Sequence, residues 1–308
     1  MSLLDPDILT AIGRAKLGPR RPVEGPVSGQ HRSPLHGLSP EFADFRNYAP
    51  GDDPRNIDWR VFARSDRYYI RRYEEESNLR AYFVIDSSRS MQYRGTSRRT
   101  RRGGQPPRSK YETAATIAVS LGAVSLRQRD AVGLLTADRE VSSVLQPSAA
   151  GSQLPEIDRR LSELTPDGET DLVAALRPQV DQMARRSLIV VVSDFLTDLD
   201  ELSALLGQLR YRGHDLLAIQ VLDEDEVELP FEGSTLFVDI EGDEEVFAEP
   251  WAFREAYRDA MLEYCDRLEN DVRAASYDFW SLRCDDDLPT AIASRLHARD
   301  AQTARAPG

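Results

Sequence analysis

Cysteine is scarce in this chain of 308 residues, which contains only Cys265 and Cys284. Two cysteines form at most one disulfide, so a small fold stabilised by several disulfides is excluded. Because disulfides are rare in cytosolic proteins, we expect two reduced, largely buried thiols. Histidine is also scarce. The spacing of the four histidines fits neither a zinc site nor a Ser-His-Asp triad. They are His31, His36, His214 and His297.

Long hydrophobic runs are absent as well. No uncharged apolar run approaches the roughly 20 residues that a bilayer span requires. Residues 1–17 lack the basic start and apolar stretch of a signal peptide. With 41% hydrophobic and 30% charged residues, the composition is that of a soluble globular protein. We therefore expect a cytoplasmic protein without a membrane span.

The charges are distributed unevenly along the chain. Residues 1–110 contain 21 Lys and Arg against 13 Asp and Glu, although the whole chain has a net charge of −13. The positive net charge of residues 1–110 and the negative net charge of the rest of the chain predict that the two regions contact different partners. The basic stretch 94–108 lacks the aromatic residues on which bases stack, so we expect an exposed loop that attracts an acidic protein partner, and nucleic-acid binding is unlikely.

The first part of the chain predicts an N-terminal β/loop extension, residues 1–79. Glycine and proline punctuate residues 18–40, which is typical of loop structure. Residues 41–78 interleave aromatic and charged side chains, and Tyr68–Tyr73 has the composition of a strand or hairpin that packs on the main domain.

Residues 80–298 alternate short apolar runs with helical patterns, which predicts an α/β domain with a doubly wound, mostly parallel sheet. Val141–Leu145 follows the preceding strand too closely for a crossover helix, so we expect an antiparallel strand at one edge. Residues 299–308 are predicted to be a flexible tail. The other expected strands lie within residues 81–85, 131–135, 188–192, 216–221 and 279–282.

Polar residues follow two of the predicted strands and begin one of the helices. Because ligands of open α/β sheets bind beyond the carboxyl ends of the strands, we expect these residues to meet on one rim. Their carboxylate and hydroxyl oxygens suit a hard cation, most simply Mg²⁺, with Mn²⁺ or Ca²⁺ also possible. A vacant coordination position would attract a carboxylate from elsewhere. The candidate ligands are Asp86, Ser88, Ser90, Thr170 and Asp194.

In this order and in these loops, the five residues resemble the metal-ion-dependent adhesion site of von Willebrand factor A domains. A second stretch, residues 42–60, reads FADFRNYAPGDDPRNIDWR and is followed by Ala63-Arg64. It resembles the signature of a bacterial family known as domain of unknown function fifty-eight, and the two motifs together place the resemblance over about residues 37–282. The sequence departs from the adhesion pattern at Phe195, where many such domains have glycine.

The resemblance implies a von Willebrand factor A-like fold with a metal held by the same five residues. It further implies that an Asp or Glu of a protein partner completes the metal's coordination shell. Relatives in this family commonly act as partners or adaptors of MoxR-type AAA+ ATPases. The expected function is therefore non-catalytic binding of such an ATPase or its client during protein assembly or maturation.

Several alternatives stay open at this point. A lone Asp-x-Ser-x-Ser also occurs in ordinary turns, and the site could be a remnant that binds no ion. The acidic residues within 52–60 are balanced by arginines, which favours salt-bridged packing over a second metal site. The acidic run Asp223–Glu226 lacks the pattern of a calcium loop and is interpreted as a solvated face.

The enzymatic alternative is a Mg²⁺-dependent phosphohydrolase with Asp86 as the nucleophile. Such a site would normally carry a second Asp at the position of Ser88 and a lysine on the rim. The sequence pattern reveals neither, so we do not expect an enzyme.

Overall fold

The computed structural model describes residues 2–19, 31–32, 42–47, 61–62, 68–73, 76–77, 79–95, 107–169, 171–242 and 244–305. The strands within these residues are β1 (His31–Arg32), β2 (Phe42–Asn47), β3 (Tyr69–Tyr73), β4 (Glu76–Ser77), β5 (Arg80–Asp86), β6 (Ala131–Ala137), β7 (Val141–Ser148), β8 (Leu188–Ser193), β9 (Asp215–Leu222), β10 (Thr235–Val238), β11 (Glu245–Ala248) and β12 (Asp278–Arg283). The α-helices are α1 (Pro6–Ile12), α2 (Lys110–Arg127), α3 (Gln153–Glu163), α4 (Leu172–Val180), α5 (Leu199–Arg212), α6 (Glu224–Glu228), α7 (Pro250–Ala274) and α8 (Leu288–Arg305).

Six strands form one central sheet in the order β12-β9-β8-β5-β6-β7. All neighbours are parallel except β6 and β7, which form an antiparallel pair at one edge. The strands β5, β8 and β9 are almost entirely buried because helices cover both faces of the sheet. This arrangement confirms the predicted α/β fold class, including its antiparallel edge strand.

The two faces of the sheet carry separate hydrophobic cores. On one face, buried side chains of α1, α2, α3 and α8 pack against the sheet, with Leu121 and Leu296 among them. On the other face, the buried residues come from α4, α5 and α7, including Leu176, Leu206 and Leu268. The strand order therefore belongs to a three-layer, doubly wound architecture.

The strand order reverses at β5. From β5 the chain continues to β6 on one side, whereas the next parallel strand, β8, pairs with β5 on the other side. At such a reversal, the loops that follow the two strands leave a crevice at the carboxyl ends, which is where ligands of open sheets bind. Asp86 ends β5 and Asp194 follows β8, so the fold places both residues at this crevice.

The beginning of the chain packs into the main domain. Helix α1 contacts α8, and Ile8, Ile12 and Leu17 are fully buried in the core on that face of the sheet. Gln128, at the end of α2, accepts a hydrogen bond from the Leu17 amide and donates one to its carbonyl. The predicted strand within residues 68–73 is present as β3, which pairs with β2. Within the signature-like stretch 42–60, residues 48–60 lie outside the described residues.

The end of the chain is helical beyond the predicted domain limit at residue 298. Helix α8 runs from Leu288 to Arg305, so residues 299–305 of the predicted tail are part of a helix. Arg299 is buried there and forms ion pairs with Asp215 at 3.0 Å and Asp278 at 2.6 Å. The C-terminal helix is thereby joined to β9 and β12 by charges as well as by apolar packing.

Both cysteines lie within the described residues. Neither cysteine forms a disulfide, and burial raises the pKa of the Cys284 thiol to about 12. Among the described residues, no helix is both long enough and apolar enough to cross a bilayer.

His214 gives a testable pH dependence. Burial lowers its pKa from the ordinary 6.5 to about 4, and its neutral Nδ1 accepts a hydrogen bond from the Ser187 amide at 3.3 Å. The unfolded chain takes up a proton on this residue below pH 6.5, whereas the folded chain resists until about pH 4. The free energy of unfolding should therefore fall across this window by up to about 3 kcal/mol.

Urea denaturation at a series of pH values checks this expectation. His214→Asn keeps an acceptor near the Nδ1 position and should flatten the pH dependence, whereas the exposed His297→Asn should leave it unchanged. Identical pH dependence in the two variants would show that His214 is not the group responsible.

Candidate metal site

The first loop of the site follows β5 and holds Asp86 in a fully buried position. Asp86 Oδ1 accepts hydrogen bonds from the Ser88 amide at 3.0 Å and the Ser88 hydroxyl at 2.7 Å. Its Oδ2 accepts a bond from the Ser193 hydroxyl at 2.5 Å. Ser90 lies in a short 3-10 helix, Arg89–Gln92. The loop thus turns sharply enough to place three alternate side chains on one side.

The second loop follows β8 and holds Asp194, which is also fully buried. Asp194 Oδ1 accepts a hydrogen bond from the Leu196 amide at 3.1 Å. Phe195 adopts a left-handed backbone conformation with φ of 54°, the conformation that glycine favours, while its ring is buried in the core. The hydroxyl of Tyr264 on α7 accepts a bond from the Thr197 amide and contacts the Phe195 and Thr197 carbonyl oxygens. Phe195 thus adopts a backbone conformation that a glycine at this position would favour.

The oxygens of the two loops form one continuous line. Ser88 Oγ lies 2.7 Å from Asp86 Oδ1, Ser90 Oγ lies 3.1 Å from Ser88 Oγ, and Asp194 Oδ2 lies 3.1 Å from Ser90 Oγ. When both carboxylates are ionised, these three contacts share only two hydroxyl protons. One pair of oxygens therefore faces each other without a proton between them, and a cation would relieve this.

The donor set fits a hard divalent ion. Neighbouring oxygens in an octahedral shell at 2.0–2.1 Å from Mg²⁺ lie about 2.9 Å apart, close to the three contacts observed. Carboxylates and hydroxyls are the oxygen ligands that such ions accept. Within the described part of the chain, no cluster of three or more His, Cys, Asp and Glu residues is suited to a metal. The two serines are thus needed alongside the two carboxylates.

The third loop is represented by the neighbours of Thr170, because Thr170 itself lies outside the described residues. The Gly168 carbonyl accepts a hydrogen bond from the Arg89 amide at 2.9 Å, and the Asp167 amide donates to the Ser87 carbonyl at 3.1 Å. Gly168 has a φ of 131°, which other residues rarely adopt. These backbone bonds hold residues 167–169 against the first loop. Asp171 then caps the start of α4.

Burial and charge change the acidity of Asp86. Burial, followed by the negative charge of Asp194, raises the pKa of Asp86 to about 6. The hydrogen bonds from Ser193 and Ser88 act in the opposite direction and favour the ionised form. A divalent ion beside Asp86 would favour ionisation further.

A buried lysine contacts the site, and it was missed in the sequence. Lys110, the first residue of α2, is fully buried and donates hydrogen bonds to Asp194 Oδ2 at 2.7 Å and Glu226 Oε1 at 2.6 Å. Burial acts to lower the pKa of this ammonium, but Asp194 and Glu226 outweigh burial and hold the pKa above its usual value. Lys110 is therefore a buried positive charge in contact with Asp194 Oδ2, the oxygen that also accepts a hydrogen bond from Ser90.

Two sequence signals pointed to this lysine. The chain contains only one other lysine, Lys16, among 39 basic residues. A cation at the first position of a helix is also unfavourable, because the positive end of the helix dipole lies there. Both observations indicate that Lys110 makes a specific contact that outweighs its unfavourable position in the helix.

The acidic run that includes Glu226 is not a solvated face, so that interpretation was wrong. Asp223 caps α6, and Asp223 and Asp225 are both buried. The Gly95 amide donates to Asp223 at 2.9 Å, and the Tyr93 hydroxyl donates to Asp225 at 3.2 Å. These contacts fix the chain that follows the first loop of the site.

Solved structures with similar folds include conserved hypothetical protein BatB from Bacteroides thetaiotaomicron and the VWA domain of SpRpn10. The BatB match has a TM-score of 0.47 and 14% identity, and it covers 72% of this chain and 98% of BatB. The SpRpn10 match has a TM-score of 0.39 and 13% identity, and it covers 70% of this chain and 93% of that domain. The fold assignment rests on the strand order described above.

Curated relatives cover most of the chain. Uncharacterized protein Rv1480 of Mycobacterium tuberculosis is 26% identical over 288 residues, which are 92% of this chain and 87% of the relative. Uncharacterized protein Mb1516 of Mycobacterium bovis matches with the same identity and coverage. The profile of the family described as protein of unknown function DUF58 matches residues 44–265. This match extends from the N-terminal region through the candidate site into α7, and the chain therefore belongs to the DUF58 family.

Proposed function

We propose that the chain is a non-catalytic protein-binding module that depends on a divalent metal, with Mg²⁺ as the expected ion. Asp86, Ser88, Ser90 and Asp194 would hold the ion together with Thr170. The observation that carries this proposal is the line of four oxygens that has fewer protons than contacts. When bound, the ion supplies an electrophilic centre to which an acidic side chain of a partner binds.

The position of the site supports capture of a partner. The ligands lie at the carboxyl ends of β5 and β8, where the strand order reverses and loops form a crevice. Ser90 is only half-buried, so the outer side of the oxygen line is accessible. By family resemblance, we propose a MoxR-type AAA+ ATPase or its client as the partner, and cytoplasmic assembly or maturation of proteins as the setting.

Loss of metal binding should remove partner capture. Asp86→Asn keeps the size of the side chain but removes its charge, so we expect at least about tenfold weaker Mn²⁺ binding in calorimetry. Affinity purification from the native cells should recover the AAA+ ATPase with wild-type protein in Mg²⁺, but not with Asp86→Asn or in EDTA.

Asp181→Asn is a matched control, because Asp181 is exposed and lies at the opposite end of α4 from the site. It should retain both metal binding and capture. Melting curves of all proteins show whether the variants are folded. Capture that persists in EDTA, from folded protein, would refute the metal-dependent mechanism.

The phosphohydrolase alternative requires a lysine on the rim, and the structure does place Lys110 there. That lysine, however, is held between two carboxylates, and Asp86 is fully buried with both oxygens accepting hydrogen bonds. A nucleophile for phosphate must be accessible, so these contacts favour binding over hydrolysis. Mg²⁺-dependent turnover of an aryl phosphate that is abolished by Asp86→Asn would establish the enzymatic alternative instead.

A further inference from the structure

The hairpin formed by β10 and β11 brings another carboxylate to the site. Among the strands that the structure describes, these two pair with each other and lie outside the central sheet. The Asp239 side chain accepts a hydrogen bond from the Glu241 amide at 2.9 Å, and the Asp239 amide donates to the Glu244 carbonyl at 2.8 Å. A Cβ atom at Gly242 would meet Asp239 Oδ2 at 2.5 Å, so a larger residue there would displace the Asp239 side chain. The turn therefore orients Glu241.

Glu241 contacts the same loop that supplies the oxygen line. Its Oε1 accepts a hydrogen bond from the Ser90 backbone amide at 3.1 Å, and the side chain is half-buried. The hydroxyl of Ser90 bonds Asp194 at 3.1 Å and lies 3.1 Å from the Ser88 hydroxyl. A carboxylate from a segment 151 residues away in sequence is thus brought to the residue at the centre of the candidate site.

The carboxylates of the candidate metal site repel the Glu241 carboxylate unless a cation lies between them. Asp86 and Asp194 are both fully buried, so their negative charges are poorly screened by solvent. Lys110 contacts Asp194 and Glu226, whereas the hydrogen bonds to Asp86 come from serine hydroxyls and an amide. An added carboxylate would increase the repulsion, and a divalent ion would reverse it.

We propose that Glu241 is a further ligand of the metal, supplied by the hairpin, and that the bound ion holds the hairpin against the site. This inference rests on the proposed metal site. Glu241 then occupies, within the free protein, the position that an acidic side chain of a partner would take. The carboxylate of the partner has to displace it.

The test compares Mn²⁺ binding by wild type, Glu241→Gln, Glu244→Gln and Asp86→Ala, using electron paramagnetic resonance of the free ion. Glu241→Gln and Glu244→Gln remove one charge each from the same turn, so the second variant controls for net charge. Glu241→Gln should weaken binding about tenfold or more, since even groups that only orient a ligand change affinity about 10- to 100-fold. Glu244→Gln should change it less than about twofold.

Hydrogen exchange supplies a second readout. Added Mg²⁺ should slow amide exchange across residues 235–248 in wild type and in Glu244→Gln, but not in Glu241→Gln. Equal Mn²⁺ affinity in the two Gln variants, or exchange in wild type that Mg²⁺ leaves unchanged, overturns the role of Glu241. If wild type binds Mn²⁺ no better than Asp86→Ala, the proposed metal site fails along with it.

Discussion

Replacing Lys110 with methionine should lower the free energy of unfolding by about 3–5 kcal/mol in EDTA. Lys110 is fully buried and its ammonium donates to Asp194 at 2.7 Å and to Glu226 at 2.6 Å. Methionine fills a similar volume but leaves two carboxylates without their cation. Urea denaturation in EDTA measures the loss. Lys16→Met is the natural control, because Lys16 is the only other lysine and is exposed.

The thermal stability of Lys110→Met should depend on metal much more strongly than that of wild type. A divalent ion bound by Asp194 would replace part of the missing positive charge, so added Mg²⁺ should raise the melting temperature of Lys110→Met by more than that of wild type. Wild type has both cations available and should gain less. An equal gain in the two proteins would show that Lys110 and the metal do not share the charge of Asp194.

Replacing Arg299 with methionine is the second substitution with a large expected effect. Its guanidinium is buried and bonds Asp215 at 3.0 Å and Asp278 at 2.6 Å, so the substitution removes a buried positive charge from beside two carboxylates on adjacent strands. We expect a loss of about 3–5 kcal/mol in the free energy of unfolding, measured in urea.

Arg273→Met provides the comparison for Arg299. Arg273 is exposed and pairs with Glu269 at 2.7 Å within α7. Exposed pairs contribute about 0–1 kcal/mol, so this variant should stay within about 1 kcal/mol of wild type. Losses of similar size in the two variants would contradict a structural role for the buried arginine.

The fold was predictable from the sequence where burial is complete. β5, β8 and β9 are buried along their length and appear as short apolar runs, so their parallel pairing followed from the alternation with helices, whereas their order in the sheet was not predicted. α3 was missed although its buried residues Gln153, Ile157 and Leu161 recur every four residues, because the helix is short and most of its other residues are polar. α8 was missed although its buried residues Leu288, Ile292 and Leu296 recur every four residues, and the predicted domain limit at residue 298 falls inside this helix.

The site was predictable only in the parts that adjoin a strand end in sequence. Asp86, Ser88, Ser90 and Asp194 follow buried strands, and the structure brings these four together. Glu226 and Glu241 come from distant segments, so their contacts depend on tertiary packing that no local pattern encodes. The prediction for Thr170 remains untested, since that residue lies outside the described part of the chain.

The packing of the N-terminal segment determines how the domain can be isolated. A fragment that starts at residue 80, the predicted beginning of the sheet domain, would lack α1 and would expose the side of α8 that α1 covers. It would also lose the buried Leu17 and the acceptor that Gly18 offers to Arg299. If such a fragment failed to bind a partner, the cause could be its damaged core or a missing interaction surface, and the experiment would not distinguish the two. Protein for these measurements should therefore retain residues 2–19.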